Sequence, residues 1–216
     1  MRGGIHRFVR GGVTQMKRSL YILAGAACLL AVSLAILWRH AASDGPSAIL
    51  NAPAIGGPFS LIAPDGSTVT ERTYRGKTML VYFGYTYCPD ACPTTLNSIS
   101  EALSELGPLA DHVSVLFITI DPERDTREVL ANYVKSFDRH IVGLTGTAAQ
   151  VAAAANAYGV YYARYKVEGA PDGYLMDHTS IVFVMDEEGR FVATFTQETP
   201  AAQMADRLRK LITKTS

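Results

Sequence analysis

The feature that most constrains this chain is a run of 20 residues, Ser19 to Trp38, with no charged side chain. As a helix rising 1.5 Å per residue, such a run reaches about 30 Å, the thickness of a bilayer's hydrocarbon core. Lys17 and Arg18 stand directly before it, and Trp38 closes it at the depth where amphipathic rings settle. Arg2, Arg7 and Arg10 also precede the run, whereas only Arg39 closely follows it. The positive-inside bias therefore assigns residues 1–18 to the cytoplasm and the rest of the chain to the other side. The expected organisation is a basic cytoplasmic segment (1–18), a transmembrane anchor (19–38), a linker (39–57) and a folded domain (58–216). In a bacterium this is a single-pass inner-membrane protein with its domain in the periplasm. A cleaved signal peptide is the alternative, but its apolar region usually spans about 7–15 residues, shorter than this one. Ala24-Gly-Ala-Ala-Cys28 faintly resembles a lipoprotein cleavage site. Cleavage there would leave the apolar stretch Leu29 to Trp38 in water, so Cys28 reads better as a small apolar residue facing lipid or another helix.

Beyond the anchor, charge excludes one class of partner. The 20 basic residues include six in the first 39 positions, leaving 14 against 20 acidic ones, a net of about −6. Such a domain has no electrostatic footprint for nucleic acid. Its length suits one globular unit.

Residues 40–57, rich in Ala, Ser, Gly and Pro, read as a linker. Two short extended runs around Pro64-Asp65-Gly66 predict a β-hairpin. Thr78 to Tyr85 and Val113 to Ile120 are compact runs of β-formers and read as buried strands. Between them, Leu96, Ile99, Leu103 and Leu106 recur at helical spacing. Val129, Leu130, Tyr133, Val134 and Phe137 mark another helix, and Ala148 to Tyr158 a third that Gly159 stops. Val160 to Val167 looks extended. Ser180 to Met185 and Arg190 to Phe195 form a hairpin through Glu187-Glu-Gly189, and Met204, Leu208 and Leu211 give a last helix. Strands joined by helices make a parallel portion and the hairpins add antiparallel edges. The fold class is α/β, a mixed sheet flanked by helices in a thioredoxin-like arrangement with added β-hairpins.

The chemistry concentrates in Tyr82-Phe-Gly-Tyr-Thr-Tyr-Cys88-Pro-Asp-Ala-Cys92-Pro-Thr-Thr95, which follows a buried strand and opens a helix. Pro93 suits the first helical turn, where its missing N–H leaves nothing unpaired. Cysteines there meet free backbone N–H groups and the positive helix end, and both favour thiolate over thiol. Thiolates attack disulfides and bind soft metals, namely Cu(I), zinc or iron–sulfur clusters. The domain has no third cysteine, so an all-cysteine site within one chain is excluded. Two thiolates plus one imidazole suit copper as Cu(I) or Cu(II). A structural disulfide between Cys88 and Cys92 is the competing reading in an oxidising compartment. A bridge closing so short a loop removes little chain entropy, which favours a functional dithiol.

Beyond the apolar span four of the five histidines remain as nitrogen donors: His40, His112, His140 and His178. His40 adjoins the membrane, and His112 and His140 read as surface residues. His178 lies just before a buried strand, where its loop can share a sheet edge with the cysteine loop. Position alone favours an ordinary loop histidine over a ligand there. Asp177 could orient that ring, but solvation is its simpler reading.

Three blocks carry a resemblance: Tyr82 to Thr95, Asp121-Pro-Glu-Arg-Asp-Thr126, and Tyr174-Leu-Met-Asp-His178-Thr-Ser180. Together, in this order and behind a membrane span, they resemble the Sco/SenC family of cytochrome c oxidase assembly proteins over roughly residues 55–212. The resemblance implies a thioredoxin-like fold and copper held by Cys88, Cys92 and His178. It also implies delivery of copper to the binuclear CuA centre of cytochrome c oxidase subunit II, or reduction of that centre's cysteines. Other periplasmic copper carriers or thiol reductants would then be partners, and Cys88 and Cys92 would form a disulfide when oxidised. The Asp121-Pro122-Glu123 part reads blandly as a strand end with a polar turn. Arg127 stands where many relatives have proline and bears on the helix start. A metallochaperone is the leading expectation, a thiol-disulfide oxidoreductase its rival, and a membrane-coupled sensor a third. The three-residue gap between the cysteines departs from thioredoxin's two, and the threonine that precedes a peroxiredoxin cysteine is missing.

Overall fold

A computed structural model of the chain describes residues 28–38 and 55–215. Of the expected anchor, residues 19–27 lie outside the described residues, as does most of the linker. Residues 28–38 form a helix, α1, on which Leu29, Leu34, Leu37 and Trp38 are all exposed. Among the described residues no helix is long and apolar enough to cross a membrane.

The domain is built on a five-stranded sheet in the order β5-β4-β3-β8-β9. Strands β3 (Thr78–Gly84), β4 (Val113–Thr119) and β5 (Ile141–Leu144) run parallel. Strands β8 (Ile181–Met185) and β9 (Phe191–Thr196) extend it antiparallel on the other side of β3. Every residue of β3 is buried, which explains its unbroken apolar run: a central strand with both faces covered has no polar alternation. Helix α2 (Ala91–Leu106) links β3 to β4, and α3 (Arg127–Val134) links β4 to β5. Helix α4 (Ala148–Ala157) follows β5, and α5 (Ala201–Thr215) packs against α2. Side chains alternate across β3. Tyr82 meets Phe117 on one face, and Phe117 in turn meets Tyr133 of α3. Phe83 meets Tyr158, at the end of α4, on the other.

The hairpin at Pro64-Asp65-Gly66 forms as expected from β1 (Ser60–Ile62) and β2 (Thr68–Thr70). The Asp65 carboxylate accepts from the Ser67 N–H and hydroxyl, closing the turn. Thr147 caps α4 through the Gln150 N–H, and Gly159, at φ +65°, ends it.

Three elements depart from the sequence reading. Ile141–Leu144 is a strand that the pattern did not reveal, because four residues carry too little periodicity to register. The Tyr174–His178 segment is not a loop. It is β7, paired antiparallel with β6 (Tyr162–Lys166) in a separate two-stranded sheet, with His178 opposite Tyr162. Its short length and the exposed, charged Asp177 hid it from an argument based on unbroken apolar strands, although Tyr174 and Met176 are buried. Helix α3 also stops at Val134, short of Phe137, although Phe137 still packs on Tyr133.

Candidate metal centre

The parallel strands β3 and β4 deliver their C-terminal ends to one edge of the sheet, and the loops beyond β3 gather the site there. Cys88 sits in the loop between β3 and α2. Cys92 is the second residue of α2 and is 0% exposed. His178 ends β7. One ligand atom from each of the three lies within 4.8 Å of the others. The Cys92 sulfur is 3.7 Å from the His178 Nε2.

Local structure explains each placement. The N-cap residue Asp90 makes no side-chain cap bond, and the Cys88 sulfur instead accepts the N–H of Cys92 at 3.4 Å. A sulfur thus serves one of the free N–H groups that open every helix. Cys92 points inward over β3, and Gly84 makes the room. A Cβ on Gly84 would stand 2.6 Å from Phe117 and 2.8 Å from the Cys92 sulfur. His178 is fixed through its other nitrogen: Nδ1 lies 3.2 Å from the Thr179 carbonyl oxygen. A carbonyl only accepts, so Nδ1 is the donor in that contact, and Nε2 is the ring atom turned to the sulfurs. The Tyr85 ring meets the imidazole edge-on at 6.0 Å and Tyr82 lies at 6.4 Å.

The sequence places both cysteines where thiolate is favoured, but the fold divides them. Cys88 is held down to about 4, chiefly by its hydrogen bond with Cys92, with help from His178 and backbone N–H groups. Cys92 is pushed well up, first by its bond to the Cys88 sulfur and then by burial. At neutral pH the pair is one thiolate and one thiol sharing a proton, with the thiolate nearer solvent. Burial beside a like charge defeats the helix end for Cys92. Both cysteines are free in this structure.

The other histidines stand elsewhere. His112 is exposed. The His140 side chain is 10% exposed and lies between Asp138 at 2.6 Å and Asp111 at 3.0 Å, so it is not the free surface residue its sequence suggests. His40 lies outside the described residues. Asp177 is exposed, and the imidazole bonds to Thr179 instead.

Asp121-Pro122-Glu123 is the turn after β4 that the sequence suggests, with Glu123 exposed, but Asp121 within it is not solvated. Asp121 is 1% exposed and forms a buried ion pair with Arg124 at 2.6 Å. Asp125, 0% exposed, accepts from the Thr86 N–H at 3.0 Å, the Thr86 hydroxyl at 2.5 Å and the Thr119 hydroxyl at 2.7 Å. Thr86 is two residues before Cys88, so this carboxylate fastens the cysteine loop to the end of β4. Nothing in the local sequence distinguishes these acids from solvated ones. Their meaning lies in contacts 39 residues apart for Asp125 and 53 apart for Asp121 and Tyr174.

Comparison with known proteins bears on the same region. The SCO1/SenC family model matches residues 47–213. The mitochondrial SCO1 homolog of Homo sapiens is 41% identical over 155 residues, 71% of this chain and 51% of that protein. A SCO2-like protein of Rickettsia prowazekii is 37% identical over 152 residues, 70% of this chain and 74% of its own length. The chain thus aligns with about half the length of the human relative. Among solved structures, Bradyrhizobium japonicum ScoI with copper bound is 43% identical with a TM-score of 0.68, covering 73% of this chain and 99% of that one. Arabidopsis thaliana ScoI with copper bound is 38% identical with a TM-score of 0.70, covering 74% and 99%.

Proposed function

Since the chain belongs to the SCO1/SenC family, we propose that it is a membrane-anchored metallochaperone that carries copper on Cys88, Cys92 and His178 to the CuA centre of cytochrome c oxidase subunit II. One observation carries this reading: two sulfurs and an imidazole nitrogen from three separate positions lie within 4.8 Å of one another. The donor set fits the cargo. Two soft sulfurs suit Cu(I), and the added nitrogen suits Cu(II). Relatives of similar sequence have been solved with copper bound.

The residues divide the work. The Cys88 thiolate, half-buried and nearer solvent, takes the incoming ion first. Cys92 then gives up its proton, which metal binding releases at any thiol ligand. His178 supplies Nε2, with its ring held by Thr179. Transfer follows by ligand exchange, with a partner's cysteines replacing these three groups in turn. A Cys88–Cys92 disulfide would remove both sulfur ligands, so copper occupancy follows redox state. The exposed apolar side chains of α1 support anchoring by residues 19–38, with residues 58–216 as the copper-carrying domain on the periplasmic side. Subunit II, other copper carriers and a thiol reductant are the expected partners.

The division between a low thiolate and a buried thiol also favours a second reading, disulfide reduction. Cys88 would attack a target disulfide and Cys92 resolve the mixed intermediate. The full chain, purified reduced in detergent, distinguishes the two. The chaperone reading expects one Cu(I) per chain and transfer to a CuA domain. A Cys88→Ser, Cys92→Ser double variant that binds copper as the wild type does would overturn it. Negligible copper binding with rapid disulfide reduction would favour the reductase.

A further inference from the structure

The Asp121–Thr126 block plays no part in the chemistry above, yet it touches both halves of the site. Asp125 holds the cysteine loop through Thr86, as described. Arg124, one residue earlier, reaches the other way. Its Nε pairs with Asp121 at 2.6 Å, and its Nη1 donates to the carbonyl oxygens of Pro171 at 3.1 Å and Tyr174 at 3.2 Å. Its guanidinium lies 3.7 Å from the centre of the Tyr174 ring and 4.7 Å from that of Tyr87. The Tyr174 hydroxyl also donates to the Asp121 carboxylate, 3.1 Å from its Oδ1.

Tyr174 opens β7 and His178 ends it. Hairpin β6–β7 is a sheet of its own, with no ladder to the central five strands. His178 lies at its open end, where β7 continues into β8, and Tyr174 at its turn end. That turn end is held against the cysteine loop by the Arg124 fork, with Tyr87 of that loop on the same guanidinium, and Arg164 of β6 adds an ion pair with Glu123 at 2.7 Å. Met176 of the hairpin adds a weaker tie, its N–H donating to the Tyr85 hydroxyl at 3.3 Å.

We propose that Arg124 is a positioning residue: by clamping hairpin β6–β7 against the cysteine loop it sets the reach of His178 to the two sulfurs, and so decides whether a bound copper ion keeps its nitrogen ligand. This rests on the copper reading above. Lysine cannot replace the group, because a point charge on a flexible stem offers neither the fork nor the flat face.

The test uses Arg124→Lys, which keeps a cation beside the buried Asp121 but loses the fork to the two carbonyl oxygens, and Tyr174→Leu, which removes the ring under the guanidinium and the hydroxyl bond to Asp121 while leaving the Arg124–Asp121 pair and the carbonyl contacts intact. Two readouts are taken on the full chain in detergent. In the metal-free protein, amide hydrogen exchange over residues 162–178 should speed up by about tenfold, while β3 and β4 stay protected. With copper, Cu(II) affinity should fall by about tenfold, as for other outer supports of a metal ligand. The coordinated-imidazole signal in pulsed EPR should disappear, while Cu(I) affinity stays unchanged because the sulfurs carry it. Wild-type exchange in both variants, or an intact imidazole signal with wild-type Cu(II) affinity in both, overturns the proposal. A wild-type protein without an imidazole signal overturns the copper reading itself, and this proposal with it.

Discussion

Cys88 keeps part of its surface in water and accepts the N–H of Cys92, whereas Cys92 is 0% exposed beneath Tyr82 and His178. Two identical residues four positions apart thereby become different chemical groups. The sign of the Cys88 shift gives a direct expectation. Its pKa lies below the ordinary thiol value, at about 4, so the thiolate persists at all higher pH and is lost as pH falls through that value. Alkylation followed by peptide mass spectrometry should therefore modify Cys88 first, with a rate that stays flat from neutrality down to about pH 5 and drops below it. A midpoint near pH 8 to 9, or faster labelling of Cys92, would contradict the structure. His178 stands where it can complete a three-ligand site without being needed for a two-sulfur one. His178→Ala should weaken Cu(II) by about 10–100-fold and Cu(I) far less, measured by competition with chelators of known affinity.

Strand β3 ends in Gly84 because a side chain there would collide with Phe117 and the Cys92 sulfur together. Gly84→Ala should cost about 1–3 kcal/mol, the usual price of overpacking a core. It should also slow copper uptake by displacing Cys92, and urea unfolding together with Cu(I) titration would show whether the two losses go together. Helix α3 depends on a different local device. Thr126 caps it through the Val129 N–H at 3.3 Å, and Arg127 follows as the first helical residue, paired with Glu128. Thr126→Ala should cost about 1 kcal/mol with copper affinity intact, because the cap lies outside the Arg124 and Asp125 contacts. Most helices were readable. Helical spacing announced α3 and α4, with Gly159 ending α4, and cysteine with proline after a buried strand announced the start of α2. Of the hairpin β6–β7, the extended run Val160 to Val167 gave β6, but β7 had no such signal. What defines β7 is its pairing across Pro171–Gly173, not a pattern within it.

A ligand that binds only the folded chain stabilises it by mass action. At a free concentration 100 times its Kd, copper should add about 2.7 kcal/mol. For a domain of this size that is a rise in Tm of about 5–11 °C. The rise should appear in reduced wild type and vanish in the Cys88→Ser, Cys92→Ser variant; a similar rise in both would place copper elsewhere. The proposed anchor predicts that the protein resists alkaline extraction from membranes, and that externally added protease removes the domain while sparing the basic N-terminus.

The sequence by itself determined the order of most strands and helices, because burial on one face or both leaves periods of 3.6, of two, or an unbroken apolar run. It also determined the sulfur chemistry, because Cys88 and Cys92 lie four residues apart at a strand-to-helix junction and need no distant partner to be recognised. Tertiary structure alone decided what surrounds them. Placing His178 3.7 Å from the Cys92 sulfur spans 86 positions. Burying Asp121, Arg124 and Asp125 turns apparently solvated charges into supports for two loops. Splitting the two thiols requires one to be covered by side chains from other elements. Each of these is a contact between segments far apart along the chain, and no local pattern encodes the distance at which two such segments come to rest.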